Sequence, residues 1–203
     1  MTTMTISADQ VKKLRDQTGA GMMECKAALT EANGDMEQAI ALLRKRGLAQ
    51  AAKRAGRTTA QGLIGSYIHL GGKIGVLVEV NCESDFVART DDFQSLVKEV
   101  AMHIAAASPQ YVKREDVPSD VLEREKDIYR GQMAKENKPP QVMDKIIEGK
   151  LASFYSQVVL LDQPFVRDDK MTISQLVAQA SAKTGENIQI SRFARFRVGE
   201  TNE

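Results

Sequence analysis

The stretch Val76-Leu77-Val78-Glu79-Val80-Asn81-Cys82-Glu83-Ser84-Asp85-Phe86-Val87-Ala88-Arg89 decides how this chain is read. Val76, Leu77, Val78 and Val80 form a near-continuous apolar run, the mark of a strand against a core. The run breaks into a short polar loop carrying a carboxylate and a large aromatic side by side, Asp85-Phe86. Beyond it Phe93, Leu96, Val97, Val100, Ala101 and Ile104 recur at helical spacing, so a helix follows. A Phe at the tip between strand and helix is either tucked into its own core or pushed into a partner. The local sequence leaves both open.

Working outward, Leu63–Leu70 and Lys73–Asn81 read as two strands around Gly71-Gly72, a hairpin signal. The helix over Phe93–Ala107 stops at Ser108-Pro109. Residues 6–47 read as three short helices. Ser7 or Asp9 can cap the first, which carries Val11 and Leu14, and Gly19-Ala20-Gly21 ends it. Met22–Ala32 forms the second, with Cys25, Ala28, Leu29 and Ala32 in phase. Asn33-Gly34-Asp35 breaks it, and Asp35 can cap a third that buries Met36, Ala39, Ile40 and Leu43, with Gly47 as its stop. Leu48–Gln61 is an Ala-rich, basic connector.

Ser119–Glu136 and Val142–Tyr155 are charged helical segments separated by Pro139-Pro140, able to pack as a hairpin. Val158–Leu161 reads as a strand. Thr172–Thr184 reads as a helix with Ile173, Leu176, Val177 and Ala180 in phase. Asn187–Val198 reads as a strand whose even positions Ile188, Ile190, Ala194, Phe196 and Val198 are mostly apolar, with Arg195 and Arg197 on the other face. The halves echo one another: Asp85-Phe86-Val87-Ala88-Arg89 and Pro164-Phe165-Val166-Arg167-Asp168 each follow an apolar strand and precede a helix. Only the first pairs an acid with its Phe. The expected fold is α+β: an N-terminal three-helix module, then a core of two antiparallel-sheet subdomains flanked by helices. Its expected divisions are 1–53 (module and connector), 54–110 (first subdomain) and 111–203 (second subdomain with the helical segment).

Composition narrows the function. Twenty-eight basic residues against 27 acidic give +1 overall, which argues against a dedicated nucleic-acid binder. The basic residues Arg44, Lys45, Arg46, Lys53, Arg54, Arg57 and Lys73, with no acid between Gln38 and Val78, keep an RNA-facing patch as an alternative. Cys25 and Cys82 lie far apart, which fits a reducing compartment. No apolar run approaches membrane-spanning length, and Met1–Ser7 has no leader pattern, so a soluble cytoplasmic protein is expected. Gly19-Ala20-Gly21 lacks the third Gly and preceding strand of a dinucleotide site, and GxxxxGK[ST] is absent, so no nucleotide, cofactor or metal is expected to bind. His69 and His103 have no second ligand at metal spacing. Cys82 with His69 and Asp85 matches no nucleophile signature, so catalysis is not expected. Met22-Met23 cannot both face inward on one short helix, and an exposed Met is an adaptable contact for an apolar partner; a thin core using both is the alternative.

Two segments carry a resemblance: Leu14–Leu29 with Glu31-Ala32-Asn33-Gly34-Asp35, and the opening stretch. Gln163-Pro164-Phe165-Val166 and Arg195-Phe196-Arg197-Val198-Gly199-Glu200 extend it. In order and over nearly the whole chain, they resemble the elongation factor Ts family. Its loop usually reads Thr-Asp-Phe where this chain has Ser84-Asp85-Phe86, and Ser keeps the hydroxyl. The resemblance implies a ubiquitin-associated-like N-terminal module and a translation factor that is not an enzyme. It implies guanine-nucleotide exchange on elongation factor Tu, with Ser84, Asp85, Phe86 and Val87 disturbing the Mg²⁺ region of that partner. It implies that Arg15, Met22 and Met23 contact the partner's GTPase domain, and it leaves a homodimer open. A scaffold that merely binds a partner helix would not need an acid–aromatic pair at this loop.

Overall fold

The structure, a computed structural model, describes residues 6–133 and 139–200. The chain divides into two compact units, each assembled from three segments. The first comprises Met1–Leu63, Val80–Leu96 and Gln175–Gln189; the second comprises Ile64–Glu79, Val97–Ser174 and Ile190–Glu203.

The first unit opens with α1 (Ala8–Thr18), α2 (Met22–Glu31) and α3 (Met36–Arg54). Ser7, rather than Asp9, caps α1: its Oγ accepts the Gln10 N–H while Gln10 Oε1 accepts the Ser7 N–H. Gly19 ends the helix in the left-handed region at φ 67°. Asp35 caps α3 by accepting the Gln38 N–H. Val11, Leu14, Cys25, Ala28, Leu29, Ala32 and Ala39 form the buried centre of these helices.

Gly47 is not the stop that its sequence context suggests. α3 runs on to Arg54, so the first half of the basic connector is helical. The reason lies in α8 (Ile173–Thr184), which brings Ala178 and Ala182 against α3. A Cβ added at Gly47 would lie 3.7 Å from the Ala182 methyl, so the glycine marks a close helix–helix approach. Arg54 then donates to the Ser181 carbonyl at 3.2 Å.

β1 (Gln61–Ile68), β2 (Ile74–Cys82) and β5 (Gln189–Arg197) form a sheet in the order β1-β2-β5. The expected hairpin turns through Gly71 and Gly72, both at positive φ. Val76, Val78 and Val80 are buried on one face of β2, and α5 (Asp91–Ala107) buries Phe93, Val97, Val100, Ala101 and Ile104. The helix presses so closely on β1 that a Cβ at Gly65 would stand 2.3 Å from Val97 Cγ1.

β5 departs from its expected alternation. Ile188 and Ile190 are buried, but Ser191 and Arg192 are both exposed, and thereafter Phe193 and Arg195 are the less exposed positions. One residue of slip reverses every later side chain. Arg195 therefore turns inward to the Ala105 carbonyl, while Phe196 and Val198 face solvent.

α6 (Ser119–Met133) and α7 (Pro140–Val158) pack on each other, with Lys150 donating to Gln132 and lying over the Tyr129 ring. The expected end of the first of these helices, at Glu136, lies outside the described residues. Val158–Leu161 is not a strand: Val158 closes α7, Val159 makes one isolated bridge to Tyr111, and a 3-10 turn follows at Leu160–Asp162. β3 (Pro164–Phe165) pairs antiparallel with β4 (Asp168–Thr172), so Thr172 ends a strand and α8 begins at Ile173.

Candidate functional site

The Asp85-Phe86 loop is a single helical turn, α4 (Asp85–Ala88), set between β2 and α5. Ser84 is its cap, with Oγ accepting the Val87 N–H at 3.4 Å. The Cys82 thiol donates to the Ser84 carbonyl at 3.1 Å. Thr90 closes the turn by donating to the Val87 carbonyl and accepting the Phe93 N–H, which starts α5. Ala88 is buried and Val87 half-buried, so one side of the turn is fastened to the protein. Phe86 points the other way and is 84% exposed, which excludes its being core. The Asp85 carboxylate pairs with Arg89 at 2.8 Å, both side chains in solvent, a pair worth little to stability.

A second layer holds the turn from behind. Gly185, at φ 77°, ends α8 and reverses the chain. Glu186 follows; its carbonyl accepts from the Ser181 hydroxyl and its N–H donates to Thr184 Oγ1. Its carboxylate Oε2 accepts the N–H groups of Glu83 and Ser84, each at 3.0 Å, and Oε1 accepts the Ser84 hydroxyl at 2.5 Å. Glu83 reciprocates, accepting the Asn187 N–H at 2.6 Å and Arg57 at 3.3 Å. The Asn187 side-chain amide donates to the carbonyls of Ala55 and Arg57. The Asn187 N–H, with Arg57 beside it, holds the Glu83 carboxyl below its usual range. Burial pushes the Cys82 thiol up, and Glu186 nearby adds to this, so Cys82 is a weak nucleophile at neutral pH.

Glu83, Glu186 and Asn187 were not among the sequence-derived candidates. Gly185-Glu186-Asn187 is legible as a turn after a helix, but nothing in the chain ties it to residues about a hundred positions earlier.

The other expected contacts lie in the same compact unit. Met22 is 51% and Met23 75% exposed at the start of α2, so the thin core does not use both. Arg15 is exposed on α1. The turn between these helices is braced: Glu24 accepts the Gly21 N–H, Gln50 donates to Glu24, and the Lys183 stem lies 3.2 Å from where a Gly19 Cβ would stand. Lys183 in turn pairs with Asp92 of α5 at 2.6 Å.

The histidines are held in other company. His69 meets the Tyr67 hydroxyl, and buried His103 bonds Gln163 Oε1 at 3.0 Å and receives the Val166 N–H on Nδ1. Among the described residues no three His, Cys, Asp or Glu converge as a metal site, and no helix is long and apolar enough to cross a membrane.

Known proteins give the geometry a context. Residues 4–200 match the family model described as elongation factor TS. The elongation factor Ts of Fervidobacterium nodosum is 62% identical over 197 residues, spanning 97% of this chain and all of that protein. That of Koribacter versatilis is 59% identical over 200 residues, covering 98% and 91%. That of Geobacter sulfurreducens is 58% identical over 197 residues, covering 97% and 91%.

Proposed function

The chain belongs to the elongation factor Ts family, and from that membership we propose that it releases GDP from elongation factor Tu by driving the Asp85-Phe86 turn towards the Mg²⁺ and phosphates of the partner. The supporting observation is Phe86 itself: a large apolar ring almost wholly in solvent, on a turn fastened from behind. A GTPase holds its nucleotide through backbone amides around the phosphates and a bridging Mg²⁺. A factor that binds better to the state in which those contacts are broken weakens nucleotide binding by the same ratio that nucleotide weakens the factor. A coupling of roughly 4 kcal/mol gives about a 10³-fold change in affinity. Burying the Phe86 ring supplies on the order of 1.5–3 kcal/mol of it. Asp85, held in solvent by Arg89, offers a carboxylate to donors on the partner. Ser84 and Val87 shape the turn, and Arg15, Met22 and Met23 add affinity on the GTPase domain. The protein is not an enzyme and acts through protein–protein binding, with no nucleotide, metal or cofactor of its own.

Stopped-flow release of labelled GDP from elongation factor Tu tests this. Phe86→Ala should cut the stimulated rate by at least about tenfold, with an unchanged thermal midpoint. Unchanged release would remove Phe86 from the mechanism.

A homodimer is the second reading, and a specific surface favours it. The sheet face away from α5 carries Ile64, Ile68, Leu77 and Phe196, all exposed, and Val198 is exposed in the turn just after β5. Several exposed apolar side chains on one sheet face suit an interaction surface. Sedimentation of the wild type and Phe196→Glu should show a dimer that the substitution weakens; a monomer in both would remove the reading.

A further inference from the structure

We propose that Glu186 is the positioning residue of the exchange loop, setting the direction of Phe86 through the backbone of Glu83 and Ser84. The inference rests on the wedge reading above. Three donors at the root of the turn converge on this one carboxylate. Its two oxygens take two consecutive backbone N–H groups and the hydroxyl of the capping residue. Those N–H groups sit where β2 has ended and α4 has not yet begun, so no ladder or helix bond fixes them. The Ser84 hydroxyl that donates to Glu186 also accepts the Val87 N–H, so the carboxylate orients the cap, and the cap orients the turn bearing Phe86.

Glu186 is itself well anchored. Gly185 gives the reversal, Ser181 and Thr184 hold the Glu186 backbone, and the next residue bridges to the end of α3 through the Ala55 and Arg57 carbonyls. Arg54 ties the same end of α3 to Ser181. The loop root is thus referenced to two helices rather than to its own short turn. A wedge must keep its direction under load as it enters a packed partner, and a turn of four residues cannot do so alone. A change in loop direction should therefore lower the rate at which bound partner releases GDP, more than it lowers binding.

The test uses the full chain, elongation factor Tu loaded with fluorescent GDP, and a titration of factor. Glu186→Ala, Glu186→Gln, Phe86→Ala and the double variant Glu186→Ala/Phe86→Ala are compared with the wild type, each with its thermal midpoint. Glu186→Ala should lower the maximal release rate about tenfold while moving the half-saturating concentration by less than about twofold. Glu186→Gln keeps an acceptor for the two N–H groups and should lose only about threefold. In the Phe86→Ala background, removing Glu186 should cost nothing further, because it acts through the ring. A wild-type maximal rate for Glu186→Ala, or an equal further loss in the double variant, overturns the proposal while leaving the wedge intact. Wild-type release by Phe86→Ala is a different result: it removes the wedge reading and the proposal with it. Should Glu186→Ala fold poorly, Glu186→Gln carries the same comparison, and its equality with the wild type overturns the proposal.

Discussion

Phe86 and Phe165 occupy matching places in two similar stretches, yet one is 84% exposed and the other 5%. Phe165 lies in β3, paired to β4, with its ring 6.1 Å from that of His103. Phe86 stands on the outer side of a single turn whose inward position is taken by Ala88. The two should separate cleanly in urea unfolding. Phe165→Ala should lose about 3–5 kcal/mol, whereas Phe86→Ala should stay within about 0.5 kcal/mol of the wild type. Neighbouring His103 gives a pH prediction. Burial lowers its pKa, and Gln163 opposes this only in part. In the folded protein Nδ1 accepts the Val166 N–H, so a proton there would face a donor. The unfolded chain takes up that proton more readily than the folded one. Stability is therefore full above the ordinary histidine value of about 6.5 and falls as pH drops below it towards the depressed folded value. His69, the only other histidine, is exposed. Urea midpoints at neutral and mildly acid pH should diverge for the wild type and converge for His103→Gln; equal midpoints in the wild type would contradict this.

At the scale of elements, the long periodic helices were legible, and so were the β1–β2 hairpin and the strand–loop–helix around Phe86. Their signals are local: apolar spacing, a cap, a glycine pair. What escaped depended on distant partners. Gly47 reads as a helix end because glycine favours the left-handed stop, but here it lets α3 approach Ala178 and Ala182 of α8. The slip in β5 is invisible in an alternation that looks regular to Val198, since only the packing of Arg195 against Ala105 reveals it. Asp85-Phe86 stands out in the sequence because an acid beside an aromatic at a loop tip is a local signal, and Ser84 and Val87 join it only through the family resemblance; Glu186 carries no such signal, because its partners Glu83 and Ser84 lie far away in sequence. The helix–helix approach at Gly47 predicts a graded response. Gly47→Ala meets only ordinary van der Waals contact at 3.7 Å, and should be neutral or stabilising by up to about 1 kcal/mol through helix propensity. Gly47→Leu must push α3 off α8 and should destabilise by about 1–3 kcal/mol. Equal midpoints for the two variants would mean that the approach is not tight.

Over the whole molecule, three sets of exposed apolar side chains have separate expected consequences. Met22 and Met23 lie at the start of α2, Phe86 on the turn α4, and Ile64, Ile68, Leu77 and Phe196 on one sheet face, with Val198 in the turn beyond it. The charge offers no comparable concentration: the net is +1, and part of the basic run is already engaged, Arg46 with Glu31, Arg57 with Glu83 and Arg54 with the Ser181 carbonyl. In the proposed scheme, apolar contact rather than a charged surface is therefore the main means of holding the partner. The methionines and the phenylalanine should part in kinetics. Replacing Met22 and Met23 by Ser should raise the half-saturating concentration of factor severalfold and leave the maximal GDP release rate within about twofold, since flexible contacts remote in sequence from the wedge add affinity without direction. A fall in the maximal rate alone would place the methionines in the exchange step instead. Magnesium gives the last test of the scheme. The ion stabilises the nucleotide-bound partner, the state that the factor opposes, so the two must compete by linkage. Raising free Mg²⁺ should slow factor-stimulated GDP release, and Phe86→Ala should flatten that dependence because its turn no longer disturbs the ion. Titration of GDP into the isolated protein should give no heat of binding. Micromolar affinity in that titration, or stimulated release indifferent to Mg²⁺, would contradict a factor that works only by opposing the contacts its partner makes to the nucleotide.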